Sequence, residues 1–224
     1  MVKIAVSGSK GKMGSRIIEL AKADAGLELA GSFDIGEDAQ SSIAACDCLI
    51  EFTSPEATIE HAGVCEKLGK PIVIGTTGLS DDDKAKIAAI AKTIPVVFSP
   101  NMSVGVNLLF KMIADAARTL GASYNVEIVE AHHVHKIDAP SGTAKEMARI
   151  VKEARGDVEV PIESVREGEI VGEHTITFDS DVDLIEITHS AKTRDIFAQG
   201  ALAAAKFASG KGPGLYTMKD VLAL

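Results

Sequence analysis

Cysteine is scarce in this chain: Cys46, Cys48 and Cys65 are the three present in 224 residues. An odd, sparse count excludes a disulfide framework, and the single residue between Cys46 and Cys48 fits neither a zinc ribbon nor a redox pair. These thiols are expected in the core as small apolar residues. Basic residues are outnumbered, 23 Lys plus Arg against 32 Asp plus Glu, for a formal charge of −9. That balance argues against a nucleic-acid or anionic-membrane partner. It also means that an anionic ligand has to be captured by local donors. No apolar run reaches the roughly 18–20 residues that span a bilayer. The opening MVKIAVSGSKGKMG lacks the charged–apolar–small order of a secretory signal, so a cytosolic protein is expected. Internal repeats and low-complexity linkers are also missing. What remains is 46% apolar and 25% charged, an ordinary globular composition with length for one large domain or two small ones.

The first hundred residues alternate strand and helix. Short apolar runs at Val2–Gly8, Leu27–Asp34, Cys48–Thr53, Pro71–Thr77 and Pro95–Ser99 read as strands. Helical patterns fill Lys12–Ala23, Pro55–Leu68 and Asp81–Lys92, the second with Pro55 in its first turn. Fully apolar strands separated by helices predict a parallel sheet covered on both faces. After Asn101 the rhythm changes. A long helix is predicted over Val104–Leu120, a strand over Asn125–His133 and a helix over Ser141–Glu153 with Ser141 as N-cap. Three strand-like stretches then follow without helices between them: Val160–Glu167, His174–Ser180 and Leu184–Ala191. That predicts a second, α+β part with a mixed or antiparallel sheet. Ile196–Ala208 returns to helix, and Gly210–Gly214 reads as a loop before a short tail.

The first chemical signal is Gly8-Ser-Lys-Gly11-Lys-Met-Gly14, at the end of one strand and the start of a helix. Glycine lets the backbone turn tightly and approach a pyrophosphate, and the helix N-terminus supplies free N–H donors. Asp34 ends the next strand, placed to bond an adenosine ribose. The fold class expected is therefore α/β, a Rossmann-like doubly wound sheet, followed by the α+β part. Gly8, Ser9, Lys10, Gly11, Lys12, Met13 and Asp34 are the candidate cofactor residues of this turn. Asp34 favours NADH, because a carboxylate repels a 2′-phosphate, whereas Lys10 and Lys12 could offset that repulsion and admit NADPH. The segments Phe52–Glu56, Gly75–Gly78 and Ser99–Met102 follow later strands and fall at the same carboxyl edge, where ligands of such sheets lie. Gly75, Thr76 and Thr77 are candidates to face the nicotinamide ribose, and Ser99, Pro100, Asn101 and Met102 to bond its carboxamide.

The second signal is Glu130-Ala-His-His-Val-His-Lys-Ile-Asp-Ala-Pro-Ser-Gly-Thr-Ala144. Three of the six histidines and a lysine fall within five residues. Ser141, Gly142 and Thr143 then open a helix, a ready site for a carboxylate, and Lys136 adds a positive charge. Histidine beside such an anion trap is a natural general acid. A metal site is the rival reading, but the spacing lacks the i, i+4 histidine pair of a helical zinc site and no cysteine is near, so no metal is expected. Two other functions are conceivable. A nicotinamide-sensing regulator would want a basic DNA-binding element, and none is visible. A metal carrier would have no use for the Gly-rich turn.

Taken together, VSGSKGKMG, FTSPE, GTTG, SPNMSVGVN, EAHHVHKIDAPSGTA, the Arg166–His174 stretch and the closing GLYTMKDVL resemble the dihydrodipicolinate reductase family of lysine and diaminopimelate biosynthesis, in the family's order from residue 2 to the end. The chain is shorter than many members between Ser32 and Ile43 and between Gly156 and Arg166. Ile35 stands where a basic residue often follows the ribose-binding acid. The resemblance implies an NAD(P)H-dependent oxidoreductase that reduces 4-hydroxy-tetrahydrodipicolinate, a small dicarboxylate, to tetrahydrodipicolinate with loss of water. It implies a cofactor domain over residues 1–102 and 194–224, and a substrate domain over 103–193 whose open sheet joins a homotetramer. His132 matches the family's general acid, Lys136 its second catalytic position, His133 a substrate-binding neighbour, and Gly142 and Thr143 the holders of a substrate carboxylate. Hinge closure near Met102–Val104 and Arg194 is expected to exclude water from the hydride path.

Overall fold

The computed structural model describes residues 1–156 and 158–224. Two compact units emerge: Met1–Val104 with Asp195–Leu224, and Gly105–Arg194. The first is built on a six-stranded, wholly parallel sheet. Its strands are β1 (Val2–Ser7), β2 (Leu27–Phe33), β3 (Cys48–Glu51), β4 (Ile72–Ile74), β5 (Pro95–Phe98) and, later in the chain, β10 (Gly214–Tyr216). Their order is β10-β5-β4-β3-β1-β2. The order reverses between β1 and β3, which opens a crevice beyond the carboxyl ends of those strands. Side chains alternate across the sheet. Ile4, Val6, Ile50 and Val97 meet α1 (Lys12–Lys22) and α7 (Asp195–Ala208). Ala5, Leu49, Ile72, Ile74 and Val96 meet α2 (Ala39–Ala45), α3 (Pro55–Leu68) and α4 (Asp81–Ile90). Burial on both faces is why the inner strands read as unbroken apolar runs. All three cysteines are free and buried in these two layers.

Local chemistry sets the helix starts. The Ser54 hydroxyl accepts from the Ala57 N–H ahead of Pro55, and Gly69 closes the same helix at φ 64°. Ser80 and Asp83 form a capping box on α4. The C-terminal segment differs from the expected loop and tail. Gly214 begins β10, which pairs with β5, and α8 (Met218–Leu222) follows under a Thr217–Asp220 capping box. A three-residue strand has too little periodicity to be seen without its partner. The short helix α2, capped by Asp38, was likewise not foreseen.

The second unit holds most of α5 (Val104–Leu120), then β6 (Asn125–His132), α6 (Gly142–Arg155), β7 (Ile162–Arg166), β8 (Glu173–Asp179) and β9 (Leu184–Ser190). The sheet is mixed, in the order β7-β6-β8-β9, with β6 parallel to β7 and antiparallel to β8. Ile128, Ile176 and Phe178 lie on one face, packed with Ile113 of α5 and Met147 and Val151 of α6. Glu130, His132 and His174 continue the same face, because residues two apart along a strand share a side. No helix among the described residues is long and apolar enough to cross a membrane.

Candidate active site

The Gly-rich turn is built for close approach. Gly8 sits at φ 69°, and a Cβ there would meet the Phe52 carbonyl oxygen at 2.9 Å. A Cβ on Gly14 would overlap the Gly8 carbonyl, so α1 can pack on the turn only with glycine there. Gly11 is the N-cap of α1 and offers no side-chain cap, which leaves the helix N-terminus open toward a ligand. Asp34 accepts the N–H groups of Lys10 at 2.9 Å and Ile35 at 2.8 Å. Those bonds, the Lys10 amide first, hold its carboxyl below the usual carboxylate range. Lys10 Nζ is paired with Glu37 at 2.6 Å, and Glu37 also receives the Asp34 N–H.

Two cavities open along this edge. One of about 600 Å³ is lined by Gly8, Lys10, Gly11, Asp34, Glu37, Thr53 and His61, among others. The other, of about 460 Å³, is lined by Gly11, Lys12, Met13, Gly75, Thr76, Thr77, Pro100, Met102 and also Phe52 and Phe197. Gly11 lines both, so the helix N-terminus sits where they adjoin. Ser9, Ser99 and Asn101 line neither. The Ser99 hydroxyl instead donates to the Asn101 carbonyl at 2.8 Å and shapes the turn after β5. The Thr76 hydroxyl receives the Thr53 N–H at 3.1 Å and the Thr58 hydroxyl at 2.8 Å, tying two of the turns together. Glycine cradles, a free helix N-terminus and a carboxylate at the end of β2 together suit a dinucleotide.

The second unit carries the histidines. Glu130 is fully buried on β6. The Arg166 guanidinium bonds both its oxygens, at 3.1 and 2.9 Å, and the Ser141 N–H adds a third bond at 3.3 Å. His132 Nδ1 bonds Oε2 of the same carboxylate. Burial pushes the Glu130 carboxyl upward, but hydrogen bonds from Arg166, Ser164 and His132 outweigh it and hold the group at about 2. Burial lowers His132 below its ordinary value against the upward pull of Glu130, with Lys136 and Arg166 adding to the fall. His174 lies edge-on to His132, ring centroids 5.1 Å apart, and bonds the Ser141 hydroxyl through Nε2 at 3.0 Å. Burial, then the charge of His132, brings His174 down to about 4. Lys136 Nζ is paired with Asp138 at 2.8 Å, and the Asp138 carbonyl accepts from Arg166 at 2.6 Å. Glu130, His132 and His174 bring potential ligand atoms within 4.8 Å of one another. A guanidinium already neutralises that carboxylate, which disfavours a cation there.

The family descriptions "Dihydrodipicolinate reductase, N-terminus" and "C-terminus" match residues 2–102 and 105–222. A 4-hydroxy-tetrahydrodipicolinate reductase of Anaeromyxobacter dehalogenans is 42% identical over 266 aligned positions, covering 100% of this chain and 98% of that relative. One from Geobacter metallireducens is 42% identical with both chains fully covered. The solved structure of a dipicolinate-bound dihydrodipicolinate reductase from Paenisporosarcina superposes at TM-score 0.86, with 25% identity and 97% of each chain covered. The chain belongs to the dihydrodipicolinate reductase family. It is an oxidoreductase of lysine and diaminopimelate biosynthesis, reducing 4-hydroxy-tetrahydrodipicolinate with a pyridine nucleotide. A diaminopimelate dehydrogenase of C. glutamicum, 12% identical at TM-score 0.61, shares the fold.

Among the residues expected at this reductase site, the structure ties His132 and Ser141 directly to the Glu130 carboxylate and the Lys136–Asp138 loop to it through Arg166. His133 stands apart from that cluster. Its ring lies 5.9 Å from that of His135, and its Nε2 is 3.5 Å from Arg194. Ser141 is buried, its N–H on Glu130 and its hydroxyl both capping α6 and bonding His174. Gly142 begins α6, and Thr143 follows in its first turn. Several lining or supporting residues were not expected at all: Glu37, His61, Phe197, Arg166 and His174. Arg166 and His174 stood in a quoted family stretch, but only strand pairing brings them beside Glu130 and His132.

Proposed function

We propose that His132 is the general acid of the reduction, with Lys136, His133, Gly142 and Thr143 holding the dicarboxylate substrate beside it and Ser141 bracing Glu130 and His174 behind them. Loss of the 4-hydroxyl as water leaves a ring double bond conjugated to the imine, and a bound nicotinamide would supply the hydride that adds at its C4. As electrons move toward the ring nitrogen, C3 becomes basic and takes its proton from His132. Lys136 and the amides at the start of α6 counter the substrate's negative charge as it shifts. The observation that carries this reading is the anchoring of a buried imidazole, a lysine loop and a helix N-terminus to one carboxylate. The Paenisporosarcina relative binds dipicolinate, and a ligand of that planar dicarboxylate class is proposed beside His132 here.

Gly8–Met13 and Asp34 are proposed to bind the adenosine and pyrophosphate half of the cofactor. Gly75–Thr77 and Ser99–Met102 would hold the nicotinamide half. NADH is the favoured form, with NADPH accepted less well. Asp34 and Glu37 line the same cavity, and Lys10 is already paired to Glu37, so a 2′-phosphate would meet two carboxylates. The chain is further proposed to work in the cytoplasm as a homotetramer. In an assay that couples dihydrodipicolinate formation to NADH oxidation, His132→Gln should lower kcat by about 10²–10⁴-fold and leave the Kd for NADH within twofold. Wild-type kcat in that variant would refute the assignment.

A further inference from the structure

We propose that Glu130 is the positioning residue of His132: clamped by Arg166, it fixes the imidazole with its proton on Nδ1 and so makes Nε2 the nitrogen that delivers the proton. The inference rests on reading His132 as the acid, and adds which nitrogen acts and what sets it.

The strand register places the groups. Ser164, Glu130, His174 and His189 are paired in a row across β7, β6, β8 and β9, and Arg166 is paired with His132 one step along. All therefore share the face that carries α6. A carboxylate at about 2 is an acceptor only, so the Nδ1 that touches it must carry hydrogen. Tautomer choice in a histidine is set by the bond its other nitrogen makes. Here that bond is itself held rigid, because the guanidinium grips both carboxylate oxygens and the Asp138 carbonyl.

His132 Nε2 makes no hydrogen bond among the described residues. The backbone beside it is Gly172, where a Cβ would stand 3.0 Å from Nε2. Any larger residue would press on a ring that cannot retreat from Glu130. His174 is not a second proton carrier. The Ser141 hydroxyl accepts the Ala144 N–H at 3.1 Å and shares a hydrogen bond of 3.0 Å with His174 Nε2. Burial keeps the His174 ring neutral. The charged groups facing His132 are thus Glu130 from its own strand, Arg166 from β7 and Lys136 from the following loop, with His174 uncharged on β8.

The sign of the effect follows. Glu130→Gln keeps the shape but removes the one negative charge against two positive ones. Arg166 would claim the amide oxygen and leave the NH₂ facing Nδ1, which forces the proton to Nε2. The imidazolium is then disfavoured, so activity that needs protonated His132 is lost at lower pH. Expected for Glu130→Gln are a fall in kcat of about 10-fold or more at pH 7.5, an alkaline limb moved acidward by about one unit, and an unchanged Kd for NADH. Glu130→Asp should recover part of kcat. Gly172→Ala should lower kcat without moving NADH binding.

¹⁵N NMR of wild-type histidines reads the tautomer directly and needs no variant to fold. The expected signal is an Nδ1–H form for neutral His132, switching to Nε2–H in Glu130→Gln. A wild-type Nε2–H tautomer, or a Glu130→Gln enzyme with the wild-type pH profile, would overturn the proposal while leaving His132 as the acid. Full activity in His132→Gln would instead remove the reading beneath it.

Discussion

His174 shows how much one side chain's environment can matter. It is 5% exposed, makes one hydrogen bond through Nε2, and is neutral down to about pH 4. The unfolded chain binds a proton at that residue near pH 6.5. Below that point the unfolded state holds more protons than the folded one, so stability falls as pH drops from about 6.5 toward 4. The loss amounts to about 3 kcal/mol at most for this single group. Glu130 acts in the same direction further down: its stabilisation is present above about 4.5 and is lost as pH falls toward 2. Urea unfolding between pH 7 and 4.5 measures the first effect. A His174→Gln chain should show a flatter slope over that window, and equal slopes would contradict it. The motif around Glu130 was readable from sequence because its residues are contiguous. Arg166 and His174 were not readable as partners, since 36 and 44 positions of chain separate them from Glu130 and only strand pairing closes the gap.

Among the elements, α7 packs into the core of the first unit from the far side of the sequence. It returns from the far end of the chain and buries Ala198, Ala201, Leu202, Ala204 and Ala205 against the sheet. Its small residues let the helix lie close. At Gly200 the approach is closest: a Cβ there would overlap the Met102 carbonyl oxygen, which is backbone and cannot swing away. Gly200→Ala should therefore force the helix outward despite alanine's better helix propensity. The expected cost is about 1–3 kcal/mol, or roughly 2–12 °C in Tm. Calorimetry measures it, and an unchanged or raised Tm would mean that the helix can shift freely. Arg16 fastens the start of the same helix, with Nε and one terminal nitrogen each 2.6 Å from Asp195 oxygens. The helix itself was predicted from its apolar run. Its role was not, because nothing in a run of alanines names the surface it will cover.

For the whole molecule, the second unit's sheet has one face under α5 and α6 and the other uncovered among the described residues. On that open face Thr175 and Thr188 bond to each other at 2.9 Å, and Leu184 of the edge strand is 57% exposed. If copies join there, sedimentation equilibrium should give four chain masses, and Leu184→Glu with Thr188→Glu should yield smaller species. A monomeric wild type at micromolar concentration would rule the tetramer out.

The sequence by itself determined the parallel sheet, the Gly-rich turn, the histidine loop and the family. Each of these is written in contiguous residues, where spacing and backbone freedom act locally. The tertiary structure decided what spacing cannot carry. It made β10 a strand by giving it β5 as a partner, set Phe197 into the wall of a cavity begun by Gly11, and clamped Glu130 between Arg166 and His132. Such arrangements depend on which distant strands pair and in what register. Register is fixed by the burial of whole faces, a property of the assembled sheet rather than of any short stretch of chain.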